Sequence, residues 1–344
     1  MIDRSLWEPE GIYLNTASYG LPPKPAWEAL QRAQGDWHVG RTSWEGWGDE
    51  TDAARRLWAE LVGAAPERVA TGSSVSGLVG LVAPVLEPGA RVVAPEIEFT
   101  SNLWPFMVRG CDVRLVPADR IAEAIDDGTA AVAFSAAQSA TGEVADVEAI
   151  ADSARHHGAL TFVDATQACG WLPLDASRLD VVTCAAYKWL MSPRGTAFMA
   201  LGEDVLDRVT PAAAGWFAGE DVHGSYYGGP VRLATGARRL DTSPAWFSWV
   251  GTVPALRTIL DIGVDAIHEH DVGLANRFRA GLGLEPDRSA IVVTDAAGAE
   301  ERLQAAGVMA AMRAGRLRTS WHAYNTAGEV DRVLELMNAP VRSR

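Results

Sequence analysis

Cysteine is scarce in this chain. The 344 residues include three, Cys111, Cys169 and Cys184. Their spacing matches neither a disulfide framework nor a cysteine-rich metal site, and the small odd number fits a reducing compartment. Positive charge is also in deficit: 30 Lys and Arg face 44 Asp and Glu, a formal charge of −14 with a pI near 5.0. That balance argues against broad binding to nucleic acid or to an anionic membrane. No apolar run is long enough to span a bilayer, and the opening MIDRSLWEPEG has no apolar signal core. The expectation is a soluble cytoplasmic protein without nucleic-acid or membrane partners. No G-x-G-x-x-G follows the first strand-like segment, which excludes a nicotinamide dehydrogenase. Internal repeats and low-complexity segments are absent too.

What is present is a globular composition, 48% hydrophobic, in a chain long enough for one large domain and a small one. Residues 160 to 189 hold two short apolar runs, each ending in a reactive polar group. Leu160 to Val163 ends at Asp164, and Val181 to Ala186 ends at Tyr187 and Lys188. Such runs read as buried strands of an α/β sheet, whose carboxyl ends face the ligand crevice. Further strands are expected at ARVVAP, DVRLVPA, AAVAFSAA and GTAFMAL, with helices at SVSGLVGLVAPVL, SNLWPFMVRG, DRIAEAID and DVEAIADSARHHG. The alternation predicts a mainly parallel sheet covered on both faces. HVGRTSWEGWGDE has no clear period and reads as a loop, followed by a helix in DAARRLWAELVG. Residues 210 to 245 read as a long Gly-, Trp- and Tyr-rich loop. A helix near 248 to 281, a strand at AIVVTD, a helix near 299 to 306, a strand at RLRTSW and a helix from Ala327 to Asn338 then read as a smaller α+β region.

Several strand ends carry chemistry. Asp164 and Lys188 could form a buried ion pair. They could equally anchor pyridoxal phosphate, the carboxylate to the pyridinium nitrogen and the amine as a Schiff base. In TGSSVSGLVGLV, Ser73 and Ser74 stand between a strand and an apolar helix, as an N-cap or as an anion site at a helix N-terminus. Phe99 is a core residue or a ring stacked on a cofactor. Gln138, Ser139 and Thr141 follow another strand and satisfy a turn or contact a ligand.

In order, YLNTAS, TGSS, EIEFTSN, VDATQA, AAYKWLMSPRG, RRLDTSPAW and LRTSWHAYNTAGEVDRV resemble the landmarks of fold-type I pyridoxal-phosphate enzymes. The subgroup is the class V aminotransferase family, with its cysteine desulfurases, C–S lyases, isopenicillin-N-epimerase-like proteins and kynureninases. The resemblance runs from about residue 12 to 338. It implies an α/β fold with three αβα layers. A seven-stranded, mainly parallel cofactor-binding domain would span residues 15–245, and a small α+β domain residues 1–14 and 246–344. It implies that pyridoxal 5'-phosphate is bound by Lys188 as a Schiff base, by Asp164 at the pyridine nitrogen and by Gln167 at the ring oxygen. Ser73, Ser74, Tyr187 and Ser243 would lie at the phosphate, with Phe99 where desulfurases carry a stacking histidine. Arg318 would take the substrate α-carboxylate, with Asn15 and Ser139 also facing the substrate. Ser243 falls near a hydroxyl that the family contributes from the neighbouring subunit, so a homodimer with the active site at the subunit interface is implied.

The departures from the family pattern are specific. Ala185-Ala186-Tyr187-Lys188 stands where desulfurases have Ser-x-His-Lys, and QAAGVMAAMRAGRLR lacks the mobile cysteine that a persulfide route needs. The expected activity is transamination of an L-amino acid through an α-carbanion. β-Elimination from a cysteine conjugate is the first alternative, epimerisation the second, and a non-catalytic relative disfavoured by the survival of Lys188, Asp164 and Arg318. Trp44, Trp47, Trp104, Trp216 and Trp246 lie near segments that the family places around its site. Their presence suggests a sizeable, partly apolar substrate.

Overall fold

The computed structural model describes residues 2–295, 298–313 and 315–338. The first half contains β1 (Ile12–Tyr13), α1 (Lys24–His38), α2 (Trp44–Val62), β2 (Val69–Gly72), α3 (Val75–Val82), β3 (Arg91–Pro95), α4 (Thr100–Arg109), β4 (Asp112–Val116), α5 (Ile121–Ala124), β5 (Thr129–Ser135), α6 (Val147–His157) and β6 (Leu160–Asp164). Then come β7 (Val181–Ala185), β8 (Ala197–Leu201), α7 (Glu203–Arg208), α8 (Trp246–Ile262), α9 (Val264–Gly281), β9 (Ile291–Thr294), α10 (Ala299–Ala305), β10 (Val308–Met309), β11 (Ala311–Arg313), β12 (Arg316–Ser320) and α11 (Ala327–Asn338). Among the described residues no helix is long and apolar enough to cross a membrane.

Seven strands form the central sheet in the order β2-β8-β7-β6-β5-β3-β4. It is mainly parallel, as expected; β8 alone runs against its neighbours β7 and β2. Both faces are covered. Phe162 packs with Val79 and Phe106 on the side of α3 and α4, while the next residue, Val163, packs with Trp58 and Ile150 on the side of α2 and α6. A strand buried on both faces has no polar side to show, so β7 and β8 are apolar almost throughout and buried at every position.

The reversal at β8 has a simple cause. A parallel crossover usually needs a helix, and no helix lies between Ala185 and Ala197. The chain instead turns back through residues 186–196 and leaves Lys188 at the carboxyl end of β7. Gly20 closes on this turn: its N–H donates to the Tyr187 carbonyl at 2.9 Å, and a Cβ there would lie 1.9 Å from the Lys188 carbonyl oxygen. No side chain fits at that approach.

Two expectations for the connecting elements need correction, while the long loop over 210–245 is present as read. Of the segment read as a loop over 38–50, residues 44–50 are instead the first part of α2, whose buried Gly48 and Thr51 give it a packed face that a Gly/Trp-rich sequence hides. The helix expected over 248–281 is two helices, broken at Gly263 with φ +89°. The loop over 210–245 includes 3₁₀ turns at Trp216–Ala218, His223–Ser225 and Gly236–Leu240. Near the C-terminus β11, β12 and β9 form an antiparallel sheet, and β1 pairs with β10. The short strands β10 and β11 had no counterpart in the periodicity.

Candidate active site

Because β8 is antiparallel to both β2 and β7, β2 points the same way as the parallel strands. The residues after β2, β3, β5, β6 and β7 therefore meet at one edge of the sheet. A cavity of about 310 Å³ opens there, and its lining includes Ser73, Ser74, Phe99, Ser139, Asp164, Gln167, Tyr187 and Lys188. Each of these positions was expected at the site. Ser76, Thr100, Ser101, Thr166 and Arg194 also line the cavity and were missed, although the serine-rich TGSSVSG was a signal for Ser76.

Lys188 is 7% exposed. Burial, reinforced by the charges of Arg318 and Arg313, pushes its amine down to about 8 against the pull of Asp164. No salt bridge joins Lys188 to Asp164, so they are not the simple ion pair that the sequence allowed. Lys188 Nζ stands 5.4 Å from the centroid of the Phe99 ring. Phe99 is 47% exposed, which removes its reading as a core residue. Asp164 is buried, and burial raises its carboxyl above the usual range. Its Oδ1 accepts the Thr166 N–H at 2.9 Å; among the described residues no hydrogen bond reaches Oδ2.

At the end of β2, Ser74 caps α3, its Oγ accepting the Gly77 N–H at 3.2 Å. Ser73 Oγ has no hydrogen-bond partner among the described residues. Beneath them Asp241 is fully buried, accepting from Thr71 N–H at 2.8 Å and from Arg55 Nη2 at 2.5 Å. This pair ties the strand end to the RRLDTSPAW segment. Ser243 does not reach the Lys188 cavity in its own chain. It lines a small cleft with Thr71, Gly72 and Gly195, which shares Ser73 with the Lys188 cavity.

Gln167 is fully engaged. Its Nε2 donates to the Ala17 carbonyl at 2.9 Å and to Ser139 Oγ at 3.0 Å, and its Oε1 accepts the Trp189 indole N–H at 2.8 Å. Arg318 is 1% exposed. It donates through Nη1 to the Ser139 carbonyl (2.6 Å) and hydroxyl (3.1 Å), and through Nη2 to Ser18 Oγ (2.8 Å). It has no carboxylate partner among the described residues, and burial lowers it to about 10. Asn15 lies outside the cavity lining. It bridges Ser320, and its buried Oδ1 has no partner. No tryptophan lines the cavity: Trp44, Trp216 and Trp246 pack on one another instead, with ring centroids 5.0 to 6.4 Å apart, and Trp47 packs on Phe247. The expectation of a tryptophan-lined substrate pocket within one chain is therefore not met.

Sequence reasoning missed Glu98, the residue before Phe99. It is 7% exposed and accepts four hydrogen bonds. They come from Phe99 N–H (2.9 Å) and Ser135 Oγ (2.5 Å) at Oε1, and from Ser135 N–H (2.7 Å) and Gln138 Nε2 (3.1 Å) at Oε2. Glu98 thus fastens the loop that carries Phe99 to the end of β5. Burial, with the nearby charge of Asp164, pushes its carboxyl up to about 7, while these bonds pull the other way.

Residues 46–310 match the family model described as Aminotransferase class-V. The chain is 28% identical to an uncharacterized aminotransferase of Bacillus subtilis, YcbU, over 86% of this chain and 85% of that protein. It is 27% identical to isopenicillin N epimerase of Streptomyces clavuligerus, over 98% and 96% of the two chains. A structure of C-DES, a cystine C–S lyase, with glycine covalently linked to its pyridoxal-phosphate cofactor superimposes with a TM-score of 0.87. It covers 98% of this chain and all of its own (100%) at 19% identity, a likeness of fold.

A carboxyl that holds its proton more tightly when folded than when unfolded contributes stability that is present below its unfolded value and is lost as pH rises through its folded value. For Glu98 those values are 4.5 and about 7. Urea-unfolding midpoints of the parent and Glu98→Gln, measured from pH 4.5 to 7.5, should therefore converge as pH rises. The parent's advantage should shrink by about 3 kcal/mol at most. A difference that does not change with pH contradicts the assignment.

Proposed function

The chain belongs to the class-V aminotransferase family, and we propose that it is a pyridoxal-phosphate enzyme that removes the α-proton of an L-amino acid and carries out transamination. The cavity suits that cofactor. Its volume of about 310 Å³ lies in the range of small-ligand sites. The buried Asp164 side chain keeps one carboxylate oxygen without a protein partner at the cavity wall, which matches a protonated ring nitrogen. The free Ser73 hydroxyl and the start of α3 suit a phosphate. Bound there, the cofactor supplies an electron sink for negative charge at the substrate α-carbon.

The chain's own groups take these roles. Lys188 would hold the cofactor through Nζ, and the same amine, when free, would take and return the α-proton. An amine lowered to about 8 is substantially neutral near pH 8, as a general base must be. Asp164 keeps positive charge at the ring nitrogen. Ser73, Ser74 and Tyr187 receive the phosphate, and Phe99 covers the ring and excludes water. Arg318 orients the α-carboxylate with a planar fork, placed by Ser139 and Ser18. Gln167 acts through its three protein bonds, which set Ser139 and Trp189 in position. Asn15 accepts the Ser18 N–H through its backbone carbonyl at 2.9 Å and so steadies the turn that carries Ser18.

The observation that carries this reading is the buried Lys188 amine, without an ion pair, in one cavity with Asp164. Transamination needs one group to hold and return a proton, and the lining holds one amine. Epimerisation calls for a second acid–base group; Tyr187 is the nearest candidate, and its ring is held by Tyr19 and Arg194. A persulfide route needs an accessible thiolate, yet Cys169 and Cys184 lie in the core, where burial pushes the Cys184 thiol well up.

We also propose that the chain works as a homodimer. The α4 face beside the cavity exposes Trp104, Met107 and Val108, at 59%, 41% and 88%. A groove of about 700 Å³ between α3 and α4 shares Ser76, Thr100 and Ser101 with the Lys188 cavity. An apolar face at the mouth of the site suits a second copy, whose Ser243 could then approach that mouth.

Two experiments test these readings. With a ¹⁵N-labelled amino acid and an unlabelled 2-keto acid, the label should appear in the newly formed amino acid. Pyruvate and free thiol from a cysteine conjugate, without nitrogen transfer, would replace transamination by β-elimination. Sedimentation of the parent should give twice the chain mass, and Trp104→Asp with Val108→Asp should give a folded monomer. A parent that sediments as a monomer contradicts the dimer.

A further inference from the structure

A second cation stands beside Arg318 with no anion to balance it. Arg313 ends β11, opposite Arg316 in the β11–β12 ladder, while Ala311 lies opposite Arg318. Directly opposed residues of an antiparallel pair share a face, and alternate residues along a strand do too. Arg313, Arg316 and Arg318 therefore project from one face of the hairpin. Like charges so placed repel. Arg316 is neutralised by Asp295 at 3.0 Å. Arg313 and Arg318 have no carboxylate partner among the described residues, in a chain whose formal charge is −14 and which pairs most of its other ordered arginines.

The two side chains converge. Arg313 Nη2 donates to Ser18 Oγ at 3.0 Å, and Arg318 Nη2 donates to the same oxygen at 2.8 Å. Apart from this, Arg313 bonds its neighbour's carbonyl, Met312 O, at 2.8 Å. Its charge is felt in the cavity: after burial, it is the other cause that lowers Arg318, and it contributes to lowering Lys188. Arg318 is buried, whereas Arg313 is exposed, so the pair runs from the interior to solvent through the shared Ser18 hydroxyl. The inner guanidinium already has its place at the substrate α-carboxylate, so the outer one faces whatever the substrate extends towards solvent.

We propose that Arg313 is a specificity-determining residue that binds a second anionic group, a side-chain carboxylate, so that the substrate is a dicarboxylic amino acid. This rests on the reading of Arg318 as the α-carboxylate site. The pairing explains why two arginines are held on one serine: a dicarboxylate neutralises both, and a neutral side chain leaves the outer one unpaired.

The test uses the cofactor-loaded enzyme and two inert probes of matched length, glutarate and butyrate, with binding followed by calorimetry. The parent should bind glutarate at least ten times more tightly than butyrate. Arg313→Gln should lose that preference and keep its affinity for butyrate, while Arg313→Lys should retain part of it. Steady-state KM values for glutamate against glutamine should follow the same pattern, with kcat little changed. Equal binding of the two probes by the parent overturns the proposal, and so does an equal loss of both in Arg313→Gln. Arg318→Gln tests the underlying reading separately. Butyrate binding that survives this change removes Arg318 from the α-carboxylate, whatever Arg313 does.

Discussion

The site depends on keeping a lysine amine buried without an ion pair. An ammonium removed from water is costly, and a salt bridge would restore the charge and raise the amine's proton affinity. Lys188 is denied that bridge: Asp164 attracts it from beyond contact, and Arg318 and Arg313 repel its proton. The result is an amine near 8, reactive at ordinary pH. The fold must hold the turn around Lys188 against the penalty of its burial, and it does so from two sides. Gly20 packs on the Lys188 carbonyl at a distance no side chain permits. Behind the next residue, His322 places Nε2 at 3.0 Å from the Trp189 carbonyl and Nδ1 at 2.7 Å from Asp271. A carbonyl only accepts, so Nε2 carries a proton, and Asp271 anchors the other side of the ring from α9. Both partners are fully buried, which makes this a rigid brace.

A polar network extends from the lysine turn to Arg318. Trp189 holds Gln167, Gln167 holds Ser139, and Ser139 holds Arg318. On the other flank Glu98 joins Phe99 to Ser135 and Gln138, one residue from Ser139. Few of these groups can move alone without leaving a buried donor or acceptor unmatched, at about 1–3 kcal/mol each. Catalytic groups gain precision from such support, because small displacements at a reacting centre are expensive in rate.

Much of this was legible in the sequence for physical reasons. Strands buried on both faces leave short apolar runs, and a polar residue that ends such a run faces the crevice. That logic located Asp164, Lys188, Ser73, Ser74 and Ser139 before any geometry was known. Residues whose importance comes from packing across the chain were not legible. Glu98 looks like any acid in a loop until Ser135 and Gln138 close on it from 37 and 40 residues away. Gln167 shows the opposite limit: its place in the cavity was foreseen, but its three protein partners set its geometry. The tryptophans misled because an aromatic near a landmark in sequence can turn away from it in space, as Trp44 and Trp216 do. The start of α2 was hidden because Gly and Trp carry little helical signal, while tertiary burial decides their state.

The central claim is that Lys188, and no other amine, carries the cofactor. Reduction of the cofactor-loaded protein with borohydride, digestion and mass mapping of the peptides test it directly. The account predicts one pyridoxyl label per chain, on Lys188 within AAYKWLMSPR, and none after Lys188→Ala. A label on Lys24, the other lysine of the chain, or a protein that takes up no label at all, contradicts it.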